Sequence, residues 1–209
     1  MPKLASTFAS DVNQALGLAE AGERIRFGSP PGSVARAELT LPKLVALYEM
    51  AYLRIFISWE SFLEASFLRY LCGYAAPPEH PQTVRRRFRS IADAETAWLG
   101  SAHFVSWVAV DRVLKRSKNF VTDGVHEQVL DSNKSRLEWF AAVRHRIAHE
   151  SAYSRKQFDN ATIQLAARRY PASLAGRFLR DWTAGSPVPQ RWLTCIAEEL
   201  ENLSVQIVH

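Results

Sequence analysis

Apolar residues recur every three to four positions through most of this chain, the period of helices that bury one face. Residues 4–22 predict a first helix, with Leu4, Phe8, Val12, Ala15 and Leu16 on one side; Gly22 and the Gly28-Ser-Pro-Pro-Gly32 run end it in a loop. Thr40 suits an N-cap and Pro42 a first turn, so a long helix is expected from about 41 to 73, closed by Gly73 and stopped by Pro77-Pro78. That helix is apolar nearly all round, which predicts a central position. Its polar stripe is Arg54, Ser58, Ser61, Ala65 and Arg69, and Glu60 lies opposite, in line with Phe56, Leu63 and Phe67.

Residues 101–121 mix Phe104, Val105, Trp107 and Val108 with a basic stretch. They predict an irregular or short extended segment, then a short basic helix N-capped by Asp111. A further helix starts between Gly124 and Asp131 and ends near Glu150. Another runs from Tyr153 to about Arg169, where Pro171 breaks it. A short helix over 173–182, a loop over 185–189 and an amphipathic helix over 190–207 complete the chain. No strand is secure. The expected class is all-α, an antiparallel helical bundle with a long central helix and a peripheral N-terminal helix. No repeat, low-complexity tract or dividing linker appears, so residues 1–209 read as a single domain, with 1–35 a candidate N-terminal extension.

Composition narrows this little. The chain has 209 residues, enough for one domain with a real core, and 47% hydrophobic and 22% charged residues are ordinary globular values. A net charge of +5 is compatible with a polyanionic partner. Cys72 and Cys195 sit in apolar helical contexts and predict reduced thiols in a cytoplasmic protein. The N-terminus lacks the apolar core of a signal peptide. The apolar stretch 44–72 is interrupted by Arg54, Glu60, Glu64 and Arg69, which argues against a membrane span.

The chemistry concentrates in residues 136–151. Stepping about 100° per residue, the apolar arc runs from Trp139 through Val143, Ile147 and Phe140 to Leu137 and Ala148. Arg144 falls inside that arc, whereas His145 and His149 fall outside it, one turn apart. A guanidinium on an inward-looking face either snorkels to solvent or faces a polar cleft with an anion. Glu60, the ionisable residue on the inward side of the long helix, is the expected partner in an Arg144–Glu60 pair.

Arg144-His145-Arg146-Ile147-Ala148-His149 resembles the R-x4-H motif of the HEPN superfamily, including the polar residue after the arginine. The resemblance extends over roughly residues 40–205, with its sharp motifs near 55–65 and 136–158. It implies RNA cleavage without metal, often leaving a cyclic phosphate, in a cleft shared by two subunits of a toxin or anti-phage system. Such a reaction needs a group that moves protons near neutrality, which histidine supplies, and a permanent cation for the phosphate, which arginine supplies. His149 is the expected acid/base, Arg144 the phosphate ligand and His145 an orienting residue. The family position of Glu60 implies contact with the arginine. Arg146, Arg116 and Lys118 are candidate RNA-backbone contacts. Arg86 lies in a basic run, Arg85-Arg86-Arg87-Phe88-Arg89, that suits either phosphate contact with stacking or a solvated helix face. Five residues separate Arg144 from His149, about 140° round a helix, so one copy does not aim both at one phosphate; a homodimer with facing motifs does. The expected partners are RNA, a second copy and a cognate antitoxin or regulatory protein, with no cofactor and no membrane.

Three other readings compete. His145 and His149 at i, i+4 form half of a zinc-helix pattern, with Glu138 and His126 upstream, although Arg146 stands where a metalloprotease carries glutamate. A non-catalytic helical module would dimerise or dock a partner protein. A basic RNA- or DNA-binding protein without turnover lacks a recognition-helix signature here. Phosphate-binding glycine loops and Ser or Cys nucleophile patterns are missing.

Overall fold

The structure, a computed structural model, describes residues 1–103, 105–183 and 188–209. Phe104 and residues 185–187 of the expected 185–189 loop lie outside the described residues. The class is all-α. The helices are α1 (Pro2–Gly28), α2 (Val34–Glu38), α3 (Leu41–Leu71), α4 (Ile91–Leu99), α5 (Val110–Ser117), α6 (Val125–Ser132), α7 (Lys134–Ala148), α8 (Ala152–Ala166), α9 (Ala175–Arg180) and α10 (Trp192–Val208). A two-residue antiparallel ribbon, β1 (Thr83–Val84) with β2 (Val121–Thr122), is the one sheet among the described residues. No described helix is long and apolar enough to cross a membrane.

The chain divides into two compact units. The first comprises residues 1–8, 59–138 and 200–209; the second comprises 9–58 and 139–199.

The first unit is organised by aromatic rings. Phe67 of α3 meets Trp98 of α4 at a centroid distance of 4.6 Å, and Trp98 stacks on Trp107 at 5.3 Å. His126 of α6 is almost fully buried among Phe67, Tyr70 and Trp107, and its Nε2 lies 2.8 Å from the Ser66 hydroxyl. Phe8 of α1 packs on Trp59 and Phe62.

The second unit closes around Phe158, Phe178 and Trp192, with Phe178 stacked on Trp192 at 5.2 Å. Val12, Ala15 and Ala19 of α1 are buried, so the N-terminal helix presents its apolar side to the core rather than to solvent.

Several boundaries differ from expectation. Helix α1 passes through Gly22 and ends at Gly28. A Cβ at Gly22 would lie 2.8 Å from Leu44 Cδ1, so this glycine permits close helix packing instead of stopping the helix. Helix α3 ends at Leu71, and Gly73 takes φ 91° while the Tyr74 N–H bonds back to the Arg69 carbonyl at 3.2 Å, a left-handed helix closure. The basic run 85–89 is not a helix; it follows β1 as bends, with Arg85 Nε donating to Thr122 Oγ1. Asp111 lies inside the first turn of α5, the N-cap position being Ala109, and its carboxylate pairs with Lys134. The single helix expected up to Glu150 is two, α6 and α7, separated at Asn133 (φ −111°, ψ 12°), whose side chain donates to the Val129 carbonyl. Helix α8 stops at Ala166, before a left-handed Ala167.

Candidate active site at the end of helix α7

Helix α7 buries Leu137, Phe140 and Val143, three residues apart along one face. Within the second unit the buried Tyr52 hydroxyl donates to the Phe140 carbonyl at 2.8 Å, which holds the turn just before the motif. Arg144 follows one turn later and is half-buried. His145 is half-buried, and His149 is exposed immediately beyond the last helical residue, with its N–H still bonded to the His145 carbonyl at 3.0 Å.

The two imidazoles are neighbours, with centroids 4.6 Å apart and planes 52° from parallel. Tyr153, 65% exposed, places its ring edge-on to His145 at 6.2 Å. Burial, and then the charges of His149 and Arg144, lower the pKa of His145 below the usual histidine range. It therefore stays neutral at pH 7, with one ring nitrogen able to accept a proton.

The backbone at His149 is tightly held. Its carbonyl accepts from the buried Ser154 hydroxyl at 2.6 Å and from Arg146 Nη1 at 3.3 Å. Arg146 Nε donates to the Ser173 carbonyl at 3.0 Å. Ser151 N-caps α8, its hydroxyl accepting the Ser154 N–H at 3.0 Å. A cationic side chain and a hydroxyl thus satisfy carbonyls that the helix end would leave open. The exit of α7 and the start of α8 form one braced turn that carries His149.

The predicted site residues divide between the two units. Arg144, His145, Arg146 and His149 lie together in the second; Glu60, Arg86, Arg116 and Lys118 belong to the first. Glu60 is half-buried on α3; burial, then the charge of Glu95 and that of Glu60, raise the pKa of the neighbouring Glu64 carboxyl. Arg116 donates to the Trp98 carbonyl and lies over the Trp98 ring at 5.3 Å, so its guanidinium braces α5 against α4. Lys118 pairs with Glu127 at 2.9 Å, and that bond raises its pKa. Arg86 is exposed and lies 4.9 Å over the Phe88 ring. Arg146 spends its donors on the helix end.

Among the described residues no group of three or more His, Cys, Asp and Glu side chains gathers as a metal site. His126, considered above as an upstream ligand, is instead in the aromatic core of the first unit with Ser66. Sequence reasoning missed Tyr153, Ser154 and Tyr52 as parts of this site. Tyr153 was legible: it lies four residues after His149, as His149 does after His145. Tyr52 carried no signal, because only folding brings it to a carbonyl 88 residues away.

No protein-family model, curated protein or solved structure matches this chain.

Proposed function

We propose that this protein is a HEPN-like, metal-independent endoribonuclease of a toxin or anti-phage system, acting in the cytoplasm. The observation that carries the reading is the imidazole pair at 4.6 Å, presented at a braced helix end with Arg144 beside it. In this reading His149 takes the proton from a ribose 2′-OH, and the oxygen attacks the adjacent phosphorus. The bond from phosphorus to the 5′ oxygen breaks, and that oxygen leaves as a hydroxyl after receiving the proton back from the His149 imidazolium formed in the first step. The second product end is a 2′,3′-cyclic phosphate. Arg144 carries the phosphate charge through its planar fork. Neutral His145 orients His149. Arg86 is retained as an RNA-backbone contact. Arg116, Lys118 and Arg146 already hold internal bonds, so their share in RNA binding is smaller. The cleft is shared by two copies, and a cognate antitoxin or regulatory protein restrains it.

The test is cleavage of labelled single-stranded and structured RNA in EDTA, wild type beside Arg144→Ala and His149→Ala. Wild-type cleavage that falls by about 10²-fold or more in each folded variant is the expected result. Wild type that binds RNA without cutting it would replace the enzyme with a binding module. Cleavage restored only by a divalent ion would make the His145/His149 pair a metal site.

A further inference from the structure

A cavity of about 520 Å³ lies within the second unit, and none of its lining residues belongs to the R-x4-H motif. We propose that it binds a small organic anion, a carboxylate or phosphate monoester attached to an apolar body. The inference is independent of the ribonuclease reading.

The first turns of α3 supply an apolar wall, Leu41, Val45 and Ala46, and Leu174 faces it. The opposing side is cationic: Arg177 and Arg180 come from α9, and Arg191 from the chain just before α10. The volume falls within the range of about 300–1,000 Å³ usual for small-molecule sites, and an apolar wall with a few charged groups is the usual lining.

The wall is preformed. Gly176 brings the α9 backbone directly onto α3, since a Cβ there would lie 2.3 Å from the Val45 carbonyl oxygen. The Gly176 N–H donates to Glu49 Oε1 at 2.9 Å, so that carboxylate is already turned to the backbone. The Asp181 carboxylate is held by Arg168 and by the Tyr170 hydroxyl. Asp181 is thus matched by Arg168, whereas Glu49 keeps its charge in the lining; with Glu23 counted, four guanidiniums (Arg168, Arg177, Arg180 and Arg191) stand against three carboxylates.

The cations are in surplus. Glu23 accepts from Arg180 at 2.7 and 3.3 Å and from the Tyr48 hydroxyl at 2.9 Å, while Arg191 Nη2 lies 3.7 Å away. One carboxylate therefore serves two guanidiniums. Arg191 is fixed further by donating to the Arg180 carbonyl at 2.6 Å and by stacking over Trp182 at 4.0 Å. Arg177, exposed at the rim, has no side-chain hydrogen bond or ion pair among the described residues. Its fork is open to two oxygens of a carboxylate or phosphate. An anion there would meet donors already aimed, while its body covers Leu41, Val45 and Ala46.

The experiment is calorimetric titration of the full chain with four probes. Octanoate and adenosine monophosphate carry both a charge and a body; inorganic phosphate carries only charge; adenosine carries only a body. We expect octanoate or adenosine monophosphate to bind, and whichever binds identifies the head group. Arg177→Gln should weaken that affinity at least about tenfold, the loss of one charge-assisted fork, with no change in thermal midpoint. Ala46→Trp, which fills the cavity from its open side, should abolish binding with the fold retained. Failure of both charged probes to bind overturns the proposal. So does equal binding of inorganic phosphate, equal binding of adenosine, or unchanged affinity in Arg177→Gln.

Discussion

At the scale of single residues, the most consequential group outside the motif is His126. Complete burial holds its pKa down at about 3, against a partial opposing effect from a hydrogen bond to the Leu63 backbone. The folded state keeps it neutral while the unfolded chain protonates near 6.5. Between those values the unfolded state binds more protons, so stability rises with pH and is lost as pH falls below about 6.5. The slope from this one group approaches about 1.4 kcal/mol per pH unit. Urea unfolding at pH 7.0, 6.0 and 5.0 should show that decline, and His126→Gln should flatten it even where the variant is less stable overall. An equal slope in the variant would place the acid sensitivity elsewhere. Ser154 poses a smaller question of the same kind. Removing its hydroxyl leaves the His149 carbonyl with one fewer donor, so Ser154→Ala should cost about 1–2 kcal/mol in unfolding free energy. Under the ribonuclease proposal it should also lower cleavage more than RNA binding, because the turn that aims His149 loosens.

At the scale of elements, most helices were legible because an amphipathic period and a capping residue agree: α3, α8 and α10 fall close to where the pattern puts them. The misses have local causes. Nothing in the apolar spacing around Leu130 and Leu137 marks the break at Asn133, because asparagine tolerates both helix and turn; its side chain decides by bonding to Val129. Glycine was the other source of error. Gly22 reads as a helix breaker, yet it lies within α1 against the Leu44 and Leu47 side chains, and Gly176, inside the expected 173–182 helix, lies against the Val45 backbone. That close approach makes a test. Gly176→Ala would force its methyl against the Val45 carbonyl and part α9 from α3, costing about 2–3 kcal/mol despite the better helix propensity of alanine. A denaturation midpoint at or above wild type would show that α9 does not touch α3 this closely.

At the scale of the whole molecule, the proposed chemistry needs two copies of the motif facing each other. Arg144→Ala and His149→Ala each remove one half of every shared site. In a mixed dimer, one site loses both halves and the other regains both. Unfolding and refolding the two inactive variants together should thus restore about a quarter of wild-type cleavage. No recovery in a mixture shown to contain the mixed dimer would confine each site to a single chain. Sedimentation of the wild type, monomer against dimer, checks the premise separately.

The amino-acid sequence alone determined the all-α class and most helix positions, because helical periodicity and caps are local properties of neighbouring residues. It also singled out the stretch from Arg144 to His149, where ionisable groups interrupt an apolar pattern. Tertiary structure decided what those groups and their neighbours touch. It turned Arg146 and Arg116 to backbone carbonyls, buried His126 beside Ser66, and gathered Arg177, Arg180 and Arg191 against residues more than 120 positions earlier in the chain. Side-chain partners across such separations depend on how helices pack, and packing carries no local signature that a single sequence displays.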